Sequence, residues 1–151
     1  MKKNRNKYLL IILFIAMMAV LGYYFFIKNK KADLKDFTQQ GQTELSAGNI
    51  TMKVWDHDAE DGDSIQVFFE GKMIADSLGI LNDPITYKLG NLSAGEYWLG
   101  VKAINEGMFP PASAHISLTD GKSDKEFSMD AWKDSAASWK IIVKKKVPVK
   151  K

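Results

Sequence analysis

A chain of 151 residues, 46% hydrophobic and 11% aromatic, has room for one packed domain plus appendages. Without cysteine it has no disulfide, thiol nucleophile, thiolate metal site or lipid-bearing N-terminal Cys. Its net charge of +3 is unevenly spread: residues 1–49 hold eight basic and three acidic groups, residues 144–151 five basic groups, and residues 50–143 fifteen acidic groups against eight basic. The segment that folds therefore repels phosphate, which sets nucleic acid aside as a partner.

Residues 1–7 are a basic start, with Lys2, Lys3, Arg5 and Lys7 expected on the cytoplasmic side. Tyr8 to Ile27, YLLIILFIAMMAVLGYYFFI, is twenty residues without a charge, which at about 1.5 Å per residue matches a hydrocarbon core of about 30 Å. A transmembrane signal-anchor is predicted over residues 8–27. The rival is a cleaved signal peptide, whose apolar run is usually shorter and closes with small residues at alternate positions. Here only Val20-Leu21-Gly22 offers a cleavage point, and YYFFI continues past it to aromatics typical of an interface. Lys28, Lys30, Lys31 and Lys35 balance the bases before the segment, so the N-inside orientation rests on the signal-like start. The bulk of the chain is expected outside the cytoplasmic membrane, with cleavage and secretion the second choice.

Residues 28–49 are polar, with Leu34 and Phe37 among their few large apolar side chains, and read as a tether. From Ile50 the apolar period is two: Ile50, Met52, Val54; Ile65, Val67, Phe69; Ile85, Tyr87, Leu89; Tyr97, Leu99, Val101, Ala103; Ala114, Ile116, Leu118; Phe127, Met129; Trp139, Ile141, Val143. With a short strand near Met73–Ala75, these predict an all-β domain over residues 50–143. The expected fold is an antiparallel two-sheet sandwich, Ig-like, of about seven or eight strands, preceded by one N-terminal transmembrane helix. Gly and Pro spacing excludes a long helix inside it, although MDAWKDSAAS has room for one turn.

If successive strands alternate in direction, the connections 56–63, 77–84, 105–113 and 130–137 share one end. They carry Asp56, Asp58, Glu60, Asp61, Asp63, Asp83, Glu106, Asp130 and Asp134, with Lys133 their only base. The opposite end takes the glycine turns, receives the tether at Ile50 and releases the basic tail 144–151, so the acidic tip is expected to point away from the membrane. Asp56, Asp58, Glu60, Asp61 and Asp63 are candidate ligands for Ca²⁺, because hard cations gather carboxylate and carbonyl oxygens from alternate positions of a tight loop. An EF-hand is ruled out: counted from Asp56, the sixth position is Asp61 where Gly is needed and the twelfth is Val67 where Glu is needed. A solvated turn capped by its own Asp side chains is the open alternative. Gly62 is expected at positive φ in either case.

Asn105, Glu106, Met108 and Phe109 precede a proline pair and form a candidate binding edge, with Met108 and Phe109 expected to fold back over the end of the core. His57 and His115 fall on opposite ends of this arrangement, which argues against a shared zinc site. No serine elbow, phosphate loop or dinucleotide fingerprint occurs, and an open acidic loop end is poor ground for raising a carboxyl pKa, so no catalytic residue is assigned and no enzyme is expected.

The stretches VWDHDAEDGDSIQVFFEGK and AINEGMFPPASAHISLTDGK resemble a β-sandwich domain of secreted and membrane-attached bacterial proteins, patterned W-D-x-x-x-E-D-G-D-x-I-x-V, then N-G, then A-x-N-x-G-x-x-P-P. Trp55, Asp56, Glu60, Asp61, Gly62 and Asp63 match the first motif; Ala103, Asn105, Gly107, Pro110 and Pro111 match the last. Glu70-Gly71 departs from the Asn-Gly turn. The resemblance implies fold and envelope location, and no activity. The reading is therefore a membrane-anchored envelope protein with a non-catalytic module for binding a protein or glycan, or for assembly. The alternative is a structural accessory subunit of a membrane complex whose transmembrane helix makes the contacts, allowed by Ala16, Ala19 and Gly22 on that helix. The tail 144–151 has two open uses, contact with anionic lipid or simple solubility.

Overall fold

The computed structural model describes residues 3–28, 31–56 and 60–146. The chain divides into two compact units, Met1–Lys31 and Ala32–Lys151. The first contains the helix α1, Lys3–Lys28. Its side chains are described at residues 7, 8 and 10–23, all of them exposed. Among the described residues no helix is long and apolar enough to cross a membrane. The span expected over residues 8–27 rests on the sequence.

Among the described residues the second unit holds nine strands: β1 Phe37–Ser46, β2 Gly48–Trp55, β3 Asp63–Phe69, β4 Lys72–Gly79, β5 Ile85–Leu92, β6 Gly95–Glu106, β7 Ala112–Thr119, β8 Asp124–Ala131 and β9 Ala136–Lys144. They form two sheets, β1-β9-β6-β3-β4 and β5-β2-β7-β8. Every pairing is antiparallel except β1 with β9, which is parallel. The predicted alternation is what closes the core: Ile50, Met52 and Val54 of β2 and Ala114, Ile116 and Leu118 of β7 are buried, as are Ile65 and Val67 of β3, Leu99 and Val101 of β6, and Ile141 and Val143 of β9. Each large side chain so buried stabilises by about 1.5–3 kcal/mol. The sheet order differs from the immunoglobulin one, in which the last strand pairs with its predecessor: here β8 and β9 lie in different sheets.

The expected tether 28–49 and the domain start at Ile50 need correction. Leu34–Asp36 is a 3₁₀ turn capped by Asp33, and Phe37–Ser46 is the edge strand β1. Ala32 donates its amide to the Gly71 carbonyl at the β3–β4 turn, and Phe37 pairs with Ala136, so residues 32–37 strap the outer face of the first sheet. The Phe37 ring packs edge-on against Phe68 with centroids 5.6 Å apart, and lies 5.1 Å from Trp98. It sits where a Cβ on Gly100 would come within 2.7 Å of it. MDAWKDSAAS holds no helix; a tight turn at 132–135 joins β8 to β9.

The tight turns are at one end. Glu70 and Gly71 have φ of 52° and 75°, the paired positive values of a type I′ hairpin. Glu70 serves in place of Asn there because its Oε1 accepts the Trp98 amide at 2.7 Å. In the β7–β8 turn, Asp120 accepts amides from Ser46, Lys122 and Ser123. Burial alone would raise its pKa, but these amides outweigh burial and hold it at about 2. A depressed folded pKa stabilises above the ordinary carboxylate range, and that stability is lost as pH falls through about 2. Asp120→Asn is therefore expected to lower stability at pH 7 by about 1 kcal/mol, discounted for solvent screening. It should also flatten the fall between pH 4 and 2, read by urea melts at each pH; an unchanged slope would remove this role.

A candidate cation site at the acidic end

The other end gathers the connections between β2 and β3, β4 and β5, β6 and β7, and β8 and β9, as strand alternation requires. Asp56 follows the last residue of β2 and its amide donates to the Leu81 carbonyl; Asp63 opens β3 opposite Glu106 of β6. Both are 5% exposed. Asp61 lies between them, half-buried, and one ligand atom from each of the three lies within 4.8 Å of the others. Oxygens so spaced fit around one ion bonded at about 2.4 Å.

Two of the carboxylates are aimed by amides of the β6–β7 connection and the start of β7. Asp61 Oδ2 accepts the Phe109 amide at 2.7 Å, and Asp63 Oδ2 accepts the Ser113 amide at 3.2 Å. Their other oxygens, Asp61 Oδ1 and Asp63 Oδ1, are buried without a hydrogen-bond partner in the protein. Burial, helped by the neighbouring Asp61 and Asp56, pushes the Asp63 pKa up to about 6 against the lowering effect of the Ser113 amide. Leaving such charges together is costly, so the cluster calls for a cation or a shared proton.

The five predicted acids do not act alike. Asp56, Asp61 and Asp63 converge, whereas Glu60 is exposed and its Oε1 accepts the Asn82 amide at 2.7 Å. Glu60 thus ties two connections together rather than joining the cluster. Asp58 and His57 lie outside the described residues. Gly62 has the expected positive φ, 96°. Asn105 shapes the loop from the side: its Nδ2 donates to the Gly62 carbonyl at 2.8 Å. Glu106 Oε1 accepts the Lys133 amide at 2.6 Å. The expectation that Met108 and Phe109 cover the core end is overturned, since they are 73% and 69% exposed. The cause is local, because Phe109's amide is held on Asp61 Oδ2, which fixes the backbone there with the side chain outward.

The expected placement of His115 also needs correction. His115 pairs with Trp55 and packs its ring 4.5 Å from the indole, in the acidic half of β7. Its Nδ1 meets Ser128 Oγ at 2.9 Å, so it is engaged with its own sheet. Gly107, marked in the sequence only as part of the A-x-N-x-G-x-x-P-P pattern, has φ of 60° and lies against Asp61, where a Cβ would collide with the carboxylate. Its position after Asn105-Glu106 is the signal that marks it. A cavity of about 290 Å³ lies elsewhere, on the outer face of the first sheet, lined by Leu34, Trp98, Ser138 and Lys140 among others. No protein-family model, curated protein or solved structure matches this chain.

Proposed function

We propose that the chain is a single-pass envelope protein whose residues 28–151 lie outside the cytoplasmic membrane and whose sandwich is a non-catalytic binding or assembly module stabilised by calcium. The observation that carries the calcium reading is the pair of buried, unpartnered oxygens, Asp61 Oδ1 and Asp63 Oδ1, in a cluster of three carboxylates. Calcium suits it better than magnesium, which demands near-octahedral geometry and keeps its waters, while calcium accepts irregular sets of loop oxygens.

The anchor is supported by the uncharged run Tyr8–Ile27 within a helix of 26 residues, and the outside location by the signal-like start and the resemblance to an envelope domain. A binding or assembly role is supported by the exposed Met108 and Phe109 at the acidic end, since apolar side chains held out by a fixed loop serve contact rather than packing. Protease added to intact spheroplasts should degrade residues 32–151, and degradation only after lysis would reverse the orientation. Replacing residues 8–27 by an unrelated apolar helix should leave the module working. Loss of function on that swap would favour a subunit that acts through its helix.

A further inference from the structure

The acidic end is stitched into one surface. Glu60 holds the β4–β5 connection through Asn82, Asp61 holds the β6–β7 connection through Phe109, and Glu106 holds the β8–β9 turn through Lys133. Met108 and Phe109 stand out of it as the most exposed large apolar side chains among the described residues of the second unit, with Trp132 43% exposed on the turn between β8 and β9. At this end of the domain the exposed acids are Glu60, Asp83, Asp130 and Asp134, with Lys133 the only Lys or Arg among the described residues of these connections. A complementary partner is an apolar segment flanked by cations.

The chain carries such a segment: residues 144–151, KKKVPVKK, place Val147, Pro148 and Val149 between three lysines and two. It leaves from the far end. Val143 pairs with Gly95, the first residue of β6, whereas Asp63 pairs with Glu106, the last. The twelve residues of β6 put about 37 Å between those levels, and eight extended residues reach about 28 Å. Lys144 is moreover tied to Glu44 at 2.6 Å. Residues 144–151 thus fall short of their own acidic end, while those of a copy displaced along the strand direction reach it.

We propose that the surface around Met108 and Phe109 binds residues 144–151 of a second copy of this chain, head to tail. Such a contact is heterologous: each copy offers one donor end and one acceptor end, so the pairing propagates instead of closing as a two-fold dimer does. The lysines meet the acidic rim and set the rate of encounter, and Val147, Pro148 and Val149 lie on the Met108–Phe109 pair. The buried oxygens of Asp61 and Asp63 take no part, so this contact and the calcium site stand or fall separately.

The test is fluorescence anisotropy of a labelled KKKVPVKK peptide titrated with the full chain in neutral detergent micelles, with calcium and with EDTA. Saturable binding is expected in both buffers, weakened about tenfold by Met108→Ser with Phe109→Ser. A similar loss is expected for a peptide with glycine at positions 147–149, together with a steep fall at high salt. Since Met108 and Phe109 are exposed, an unchanged melting midpoint should show that the variant is folded. Chemical cross-linking of the full chain should give a ladder of oligomers that disappears when residues 145–151 are removed. Absence of saturable binding, binding indifferent to both substitutions, or a ladder that survives the truncation would overturn the proposal. Peptide that binds only anionic vesicles would also overturn it and return the tail to the lipid surface.

Discussion

In millimolar calcium the protein is expected to melt at a clearly higher midpoint than in magnesium or EDTA at the same ionic strength. An ion that binds only the folded state stabilises by RT ln(1 + [L]/Kd), about 2.7 kcal/mol at a hundredfold excess over Kd. For a domain of this size that is roughly 10 °C. The gain arises because Asp56, Asp61 and Asp63 hold their oxygens within 4.8 Å with Asp63 buried. The sign with pH follows from Asp63, whose folded pKa is raised to about 6 from 3.8. The stability it contributes is full below 3.8 and is lost as pH rises through 6, so melts in EDTA should improve on going from pH 7.5 to 5. Calcium should therefore help most at pH 7.5.

Asp61→Asn with Asp63→Asn should abolish the calcium response while relieving the repulsion. Gly107→Ala, strained at φ 60° and colliding with Asp61, should lose both the response and about 1–3 kcal/mol of stability. Equal midpoints in all three buffers, through about 10 mM calcium, would remove calcium from the site.

Trp139→Ala is expected to cost about 3–5 kcal/mol, as for other aromatic truncations at packed sites. Its indole stacks on Phe127 of the other sheet, with ring centroids 4.1 Å apart and planes 7° from parallel. It also fills the space left by the missing side chain of Gly41 on β1, where a Cβ would overlap the ring. One side chain thereby joins β1, β9 and β8 at the side where the two sheets meet. Gly41→Val should be damaging too, and less so when Trp139 is already Ala, because the two residues share one volume. Urea denaturation of the single and double variants gives the coupling. A loss under about 1 kcal/mol for Trp139→Ala, or strict additivity, would remove Trp139 from this role.

The sandwich was legible because its strands alternate. Ile50, Met52 and Val54 or Ala114, Ile116 and Leu118 show one buried face every second residue, and all six are buried. β1 was hidden for the converse reason. FTQQGQTELS is an edge strand with Leu45 its only buried residue, and its place comes from pairing with β9, ninety-nine positions on at Phe37–Ala136. No local pattern announces such a partner. The acid run was legible as a cluster, but not which members converge, since that depends on amides of residues 109 and 113 brought in from another connection. Exposure of Met108 and Phe109 was misjudged because apolar side chains beside prolines usually fold inward, and here Asp61 fixes the backbone of Phe109 the other way.

The parallel register of β1 and β9 has a mechanical side. Phe37 lies beside Ala136 and Ser46 beside Lys144, so the start of β1 and the end of β9 are at opposite extremes of one ladder. A pull on the segment before Phe37, resisted by whatever holds the chain beyond Lys144, runs along the strands. It loads all the β1–β9 hydrogen bonds at once in shear, where a hairpin pulled from one end would unzip bond by bond. Tension along the chain thus meets the stiffest direction of the fold.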